Sequence, residues 1–211
     1  MNTEYWGGVY MRPSELFIDA TNKSGFYNIM PIDNISSVLK HGILSYQLAI
    51  NRPHMSVAMS EVQSIRDTVS VPNGMDLHKY ANVYFDARNP MLYKRKNESV
   101  CVLKISPLIL DLPDVVVADR NASSSYVRFY EPNYAFDSLN YDLIYAEYWN
   151  DPDPYEYLKR KSIKCAEVLV PYKIDPQFII AAAVKDHSDE IRLLDSGFDR
   201  KIFTDKHLFF K

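Results

Sequence analysis

A carboxylate opens the most strand-like run of this chain. Glu167 follows Lys164-Cys165-Ala166 and leads into Val168-Leu169-Val170-Pro171. So short a run, rich in apolar and β-branched residues, suits a buried strand better than a helix. A Glu at its lip is either a solvated charge on a sheet edge or an acid held rigidly at a cleft. Similar short runs recur at Phe26 to Met30, Val83-Tyr84-Phe85, Val100 to Ile105, Asp114 to Ala118, Ile179 to Val184 and Ile202-Phe203. Their mixture with short helical patterns predicts an α+β fold with many short strands.

Ile35, Val38, Leu39 and Ile43 fall at helical spacing, with Asp33 as N-cap and Gly42 as the stop. Further helices are expected from Pro90, from Tyr141 to Ala146, over Tyr155 to Lys164 after the acidic connector Asp151-Pro152-Asp153-Pro154, and at Glu190 to Leu194 behind the cap at Asp186. Met59 to Thr68 reads as one or two helical turns, Val71 to Gly74 as a turn, and Ala122 to Tyr126 as a loop. Leu108-Ile109-Leu110 reads as a buried run after the Ser106-Pro107 turn. Trp6, Gly7, Gly8 and Pro13 break periodicity, so residues 1–25 are expected to form an irregular arm. A chain of 211 residues fits one domain.

Hydrophobic residues make up 47% of the chain and charged residues 24%, enough for an ordinary core and too apolar for disorder. Glycine occurs only six times, and neither a GxGxxG nor a Walker loop is present. A Rossmann crevice and a P-loop are thereby excluded. The net charge of −3 argues against non-specific duplex binding but leaves room for a local basic groove that takes a short single strand. Cys101 and Cys165 lack partners at metal-ligand spacing and read as reduced, half-buried strand residues, which suits a cytoplasmic protein. The five histidines are scattered, so no metal is expected, and no G-x-S-x-G elbow exists. No secretion leader or membrane span is visible.

What remains is Glu167, Arg66 in a polar helical turn, and the aromatic residues Tyr27, Tyr84, Phe85 and Tyr93. That inventory suits a reaction whose leaving group departs readily, such as cleavage of the nicotinamide–ribose bond. Such a reaction needs a base to position the incoming atom, a carboxylate beside the developing ribosyl cation, and a cation over the pyrophosphate. A Glu supplies the first two and the planar fork of an Arg the third.

Four blocks in this order carry a resemblance. They are Tyr27-Asn28-Ile29-Met30-Pro31-Ile32-Asp33-Asn34 with Ile35, Leu39 and Gly42; Ser56-Val57-Ala58 with Arg66 and Val71-Pro72; Leu77-His78-Lys79-Tyr80 with Tyr84-Phe85 and Asn89-Pro90-Met91-Leu92-Tyr93; and Ala166-Glu167-Val168-Leu169-Val170. From Phe26 to the C-terminus the chain resembles the DarT-type ADP-ribosyltransferases, the toxin half of a bacterial toxin–antitoxin or phage-defence pair. The resemblance implies a single ADP-ribosyltransferase domain over 1–211, with a split, mixed β-sandwich, short peripheral helices, and NAD as co-substrate in a cleft between two small sheets. It implies Glu167 and Arg66 as catalytic residues, with Arg66 also contacting NAD. Asn28, Ile29 and Met30 fall at the nicotinamide end, and Ser37 and Ser45 further round the cleft. The stretch from Asp119 to Tyr130 matches the loop that presents the acceptor strand. Arg120, Asn121, Ser123, Ser124 and Arg128 are the hydrogen-bonding candidates there, with Tyr126 or Phe129 to stack on a base. Lys94, Arg95 and Lys96 are candidates to extend the groove.

Thymine-modifying members commonly carry His where this chain has Asn28 and Thr where it has Met30, and the Leu77–Tyr84 and Arg120–Ser124 segments also depart from theirs. These departures favour guanine over thymine as the target, in single-stranded DNA. The same chemistry on RNA and a catalytically silent binding module of the same fold are the alternatives. A partner antitoxin with ADP-ribosyl-hydrolase activity is implied, and no membrane partner.

Overall fold

A computed structural model describes residues 11–50, 66 and 69–211. Its frame is a sheet of eight strands: β1 (Phe26–Pro31), β3 (Tyr80–Tyr84), β4 (Val100–Ile105), β5 (Val116–Ala118), β6 (Phe129–Tyr130), β7 (Glu167–Pro171), β9 (Ile179–Val184) and β10 (Lys201–Thr204). They lie in the order β10-β9-β4-β1-β3-β7-β5-β6. The short strands β2 (Ile43–Leu44) and β8 (Lys173–Ile174) pair separately. All pairings are antiparallel except β9 with β10, which are joined through the helix His187–Asp195.

The sheet is split. β1 pairs with β4 along all six of its residues, whereas on its other side it meets β3 only at Tyr27 opposite Tyr84. Two half-sheets, β10-β9-β4-β1 and β3-β7-β5-β6, therefore diverge from a single residue pair. The split, mixed sheet and the short peripheral helices are the architecture implied by the resemblance.

Side-chain alternation sorts the two faces. Phe26, Val83, Phe85, Leu103, Ile105, Val117, Val168 and Val170 point into one large core. That core is closed by the helices α1 (Pro13–Thr21), which contributes Phe17, and α2 (Ile35–His41), which contributes Ile35 and Val38. The opposite face carries two smaller clusters. One holds Ile29, Tyr84, Val102, Trp149 and Phe210, and the other Leu77, Tyr80, Ala122 and Leu169. Glu167 and Arg66 belong to neither, so this face has a polar interval within its apolar cover.

Several local expectations are corrected. Residues 13–21 of the supposed irregular arm form α1: Pro13 sits at the first turn, where a missing N–H costs nothing, and the Asp111 carboxylate takes the N–H and hydroxyl of Ser14. Residues 1–10 of that arm lie outside the described residues. Asp33 is not the N-cap of α2. It lies in a 3-10 turn, Ile32–Asn34, that runs straight into the helix, and its carboxylate accepts from Arg192 Nη2 at 2.7 Å. Ile43 has left the helix for β2. The run Leu108-Ile109-Leu110 is a 3-10 turn that buries Ile109 and Leu110 but exposes Leu108. Both cysteines are buried rather than half-buried, and Cys165 precedes β7 instead of lying within it. Burial pushes both thiols up to about 12. The helical turns expected over Met59 to Thr68 lie outside the described residues, apart from Arg66, which is helical.

Gly42 does end α2, with φ at +84°. A Cβ there would meet the Ile174 carbonyl oxygen at 2.2 Å, inside the β2–β8 pairing. Gly42→Ala is therefore expected to destabilise the protein by at least about 1–3 kcal/mol, read as a lowered urea midpoint at unchanged slope.

Candidate active site

Glu167 opens β7, with Tyr84 of β3 opposite it on one side and Ala118 of β5 on the other. Its place inside the sheet removes the reading of a solvated edge charge. The side chain is only 1% exposed. Oε2 lies 3.4 Å from Arg66 Nη1, and Oε1 accepts from the Ala122 N–H at 3.1 Å. Arg66, 101 residues earlier in the chain, is itself 8% exposed. A buried carboxylate would carry a large desolvation cost if it were alone; here a guanidinium and an amide supply its partners.

Tyr84 fills the next position along the same row. Burial, reinforced by the Glu167 charge, holds its phenol well above the usual tyrosine range. It stays a neutral hydroxyl beside the carboxylate. Tyr27 continues the row onto the other half-sheet.

Asn28 reaches across the split, where its Nδ2 donates to the Asn82 carbonyl at 3.0 Å. Its Oδ1 is buried and has no partner among the described residues. The Ser45 hydroxyl is likewise buried and without one, while Ser45 N–H donates to the Tyr172 carbonyl at 2.7 Å. Met30 lies on the same side of β1 as Asn28 and sits against the Asn34 amide. The Ile29 side chain points the other way, into the apolar cluster that holds Tyr84 on the face that carries Glu167. The Asn28 and Met30 side chains therefore leave β1 on the core face, opposite Glu167. Ser37 is half-buried on α2, and no hydrogen bond of the described residues links Ser37 or Ser45 to Glu167. Among the described residues no group of His, Cys, Asp or Glu is arranged to hold a metal ion.

The predicted acceptor loop runs from the end of β5 to β6. Arg120 folds its Nε and Nη2 onto Asp119, each at 3.1 Å, and Asp119 also accepts the Arg128 N–H at 3.0 Å. Asn121 Oδ1 is occupied by the N–H and hydroxyl of Ser123, at 2.9 and 2.6 Å. Asn121 and Ser123 thus brace the loop. By contrast, Arg120, Ser124, Tyr126 and Arg128 line a cavity of about 800 Å³. Its other wall went unrecognised in the sequence: the helix Pro154–Ile163 supplies Tyr155, Leu158, Lys159 and Ser162. Their spacing over two turns was the available signal, since it puts an aromatic, an apolar and a cationic residue on one helix face. The basic stretch Lys94 to Lys96 does not join this cavity's lining. Arg95 is buried and paired with Glu98 at 2.7 Å, and Lys96 Nζ donates to the Lys211 carbonyl.

A family profile described as "DarT: ssDNA thymidine ADP-ribosyltransferase, DarT" matches residues 27–210, which takes in all of the sheet but Phe26, and the Arg66–Glu167 pair. This chain belongs to the DarT family. The class implied by the resemblance, an ADP-ribosyltransferase, is the family's class. Among similar DarT proteins, a "DNA ADP-ribosyl transferase-DNA ADP-ribosyl glycohydrolase fusion protein" from Thermosipho africanus is 33% identical over 170 residues, covering 76% of this chain. The chain spans 42% of that fusion protein's length. A DNA ADP-ribosyl transferase from Thermus sp. is 31% identical over 73% of this chain and 77% of its own length. Structures of the Thermus sp. 2.9 DarT superpose with a TM-score of 0.78 in complex with ADP-ribosylated single-stranded DNA and 0.74 in complex with carba-NAD+, both at 25% identity. The first covers 90% of this chain and 97% of the relative, the second 89% and 98%. Among the described residues of this DarT-family chain, no helix is long and apolar enough to cross a membrane.

Proposed function

We propose that this chain acts as one ADP-ribosyltransferase domain that transfers ADP-ribose from NAD to a base of single-stranded DNA, with Glu167 and Arg66 as its catalytic residues. The buried contact between these two groups, brought together from distant parts of the chain, carries the reading. The carba-NAD+ and ADP-ribosylated DNA complexes of the Thermus DarT support NAD as co-substrate and a single strand as acceptor.

NAD's fit is supported by the donor set at the split. The unpartnered Asn28 Oδ1 can accept from a carboxamide or a ribose hydroxyl, and so can the Ser45 hydroxyl. Beyond Tyr27 the main chain of β1 has no ladder to β3 and is free to bond the nicotinamide end. In the reaction the bond from ribose C1″ to nicotinamide nitrogen breaks, and its electron pair leaves with nicotinamide. The acceptor nitrogen forms the new bond to C1″ and its proton passes to Glu167. The carboxylate stabilises the developing cation, while the Arg66 fork steadies the pyrophosphate and orients Glu167.

The strand lies in the cavity between the acceptor loop and the helix Pro154–Ile163. Tyr126 and Tyr155, 70% and 65% exposed, offer faces for bases, and Arg120, Arg128 and Lys159 offer charge to phosphates. Lys159 pairs with Glu156 across an exposed one-turn contact, which a phosphate can replace at small cost. Tyr126→Ala is expected to raise the oligonucleotide KM by about ten- to hundredfold, the loss of one stacked base at roughly 1–3 kcal/mol, with the NAD KM unchanged. Lys159→Glu is expected to raise it too and to flatten its salt dependence; kinetics at two salt concentrations measure both.

The replacements at Asn28 and Met30 favour guanine as the target base. The family description favours thymine as the second reading. Incubation with labelled NAD and single-stranded DNA and RNA oligonucleotides, each lacking one base, separates the readings. Loss of label only when guanine is missing supports the first. Label confined to RNA moves the substrate, and intact NAD with no label leaves a silent binding module. The biological role that fits this reading is a cytoplasmic toxin, and the glycohydrolase joined to the transferase in the Thermosipho protein supports an adduct-removing hydrolase as its antitoxin.

A further inference from the structure

The acceptor loop has two working faces. Asp119, Arg120, Ser124 and Arg128 line the cavity, whereas Ala122, between them, is fully buried and turns its N–H to Glu167 Oε1. The segment is stiff over this short span. Asn121 N–H donates to the Ser162 carbonyl on the cavity's helical wall, Asn121 Oδ1 holds Ser123, and Asp119 holds both Arg120 and the Arg128 N–H. A braced loop transmits displacement instead of absorbing it. Glu167 lacks any other support on this oxygen among the described residues, since Arg66 bonds Oε2.

We propose that the Ala122 amide is a positioning group that couples occupation of the cavity to the orientation of the Glu167 carboxylate. The coupling rests on the function proposed above and extends it. Ala122 touches no substrate. Its amide fixes one carboxylate oxygen, which leaves that oxygen's second lone pair aimed to take the acceptor's proton as the bond to C1″ forms. A base held between Arg120 and the helix Pro154–Ile163 presses on the loop and sets that aim. Water places no such load on the loop, so its attack gains nothing from the coupling. The loop thereby favours transfer to a base over hydrolysis of NAD.

The test compares transfer from labelled NAD to an oligonucleotide with NAD hydrolysis in the oligonucleotide's absence. Ala122→Pro removes the N–H, and an amide-to-ester replacement at the same residue removes it while keeping the methyl group and the chain's course, which decides the matter if the proline variant fails to fold. Ala122→Gly keeps the amide and serves as the rescue. In the proline and ester proteins the transfer kcat is expected to fall about 10²-fold, with NAD KM and strand-free hydrolysis unchanged and the glycine variant at the wild-type ratio. Unchanged transfer in the ester protein overturns the coupling, as does an equal fall in transfer and hydrolysis, which marks a purely structural bond. A wild-type protein that labels no oligonucleotide overturns the underlying reading instead, and is recognised before any variant is made.

Discussion

Glu167→Gln is expected to reduce ADP-ribose transfer by about 10³-fold or more while the protein keeps its fold. Two roles are lost together: stabilisation of the ribosyl cation and acceptance of the acceptor's proton, each contributing roughly 10²-fold or more in enzymes of known mechanism. Glutamine preserves the volume and can still accept from the Ala122 N–H at the Oε1 position. Glu167→Ala also abolishes transfer, but it leaves the Arg66 guanidinium buried with its partner gone. Its measured loss then includes a stability cost of about 3–5 kcal/mol that the amide variant largely avoids. Single-turnover transfer, with circular dichroism as the control on folding, measures the effect. A glutamine variant that transfers at a rate near wild type removes Glu167 from the chemistry.

Arg66→Lys should lower kcat/KM for NAD by about 10²–10³-fold, equivalent to roughly 3–4 kcal/mol of lost transition-state binding. The substitution keeps the charge and loses the fork. At Nη1 the guanidinium already touches Glu167, 3.4 Å away, and its remaining donors are left for a pyrophosphate; an ammonium on a flexible stem cannot hold both in fixed directions. Initial rates against NAD concentration at saturating oligonucleotide separate the two contributions. If lysine restores full kcat/KM, Arg66 supplies only charge, and its geometry beside Glu167 is incidental.

The helix stop at Gly42, the helix start at Pro90 and the strand run after Glu167 were legible in the sequence because each is set by local chemistry: a left-handed backbone, a fixed φ beside an Asn cap, and a concentration of β-branched residues. The helix Pro13–Thr21 was not, because its stabilisation comes from Asp111, far along the chain. Arg66 illustrates the same limit at the site. On its own a cation in a polar turn reads as surface, and only the fold buries it against a carboxylate 101 residues away. The cavity's second wall was missed for a different reason. Tyr155, Leu158 and Lys159 look like the ordinary outer face of a basic helix until the acceptor loop is seen opposite them.

The two thiols offer a practical opening. With Cys101 and Cys165 buried and their pKa values pushed far above neutrality, neither presents a thiolate to an alkylating dye. One cysteine introduced at an exposed position such as Ser125 would carry a fluorophore in an otherwise unmodified background. Motion of the segment beside Glu167 can then be followed by emission in real time, without first stripping the protein of its own sulfur.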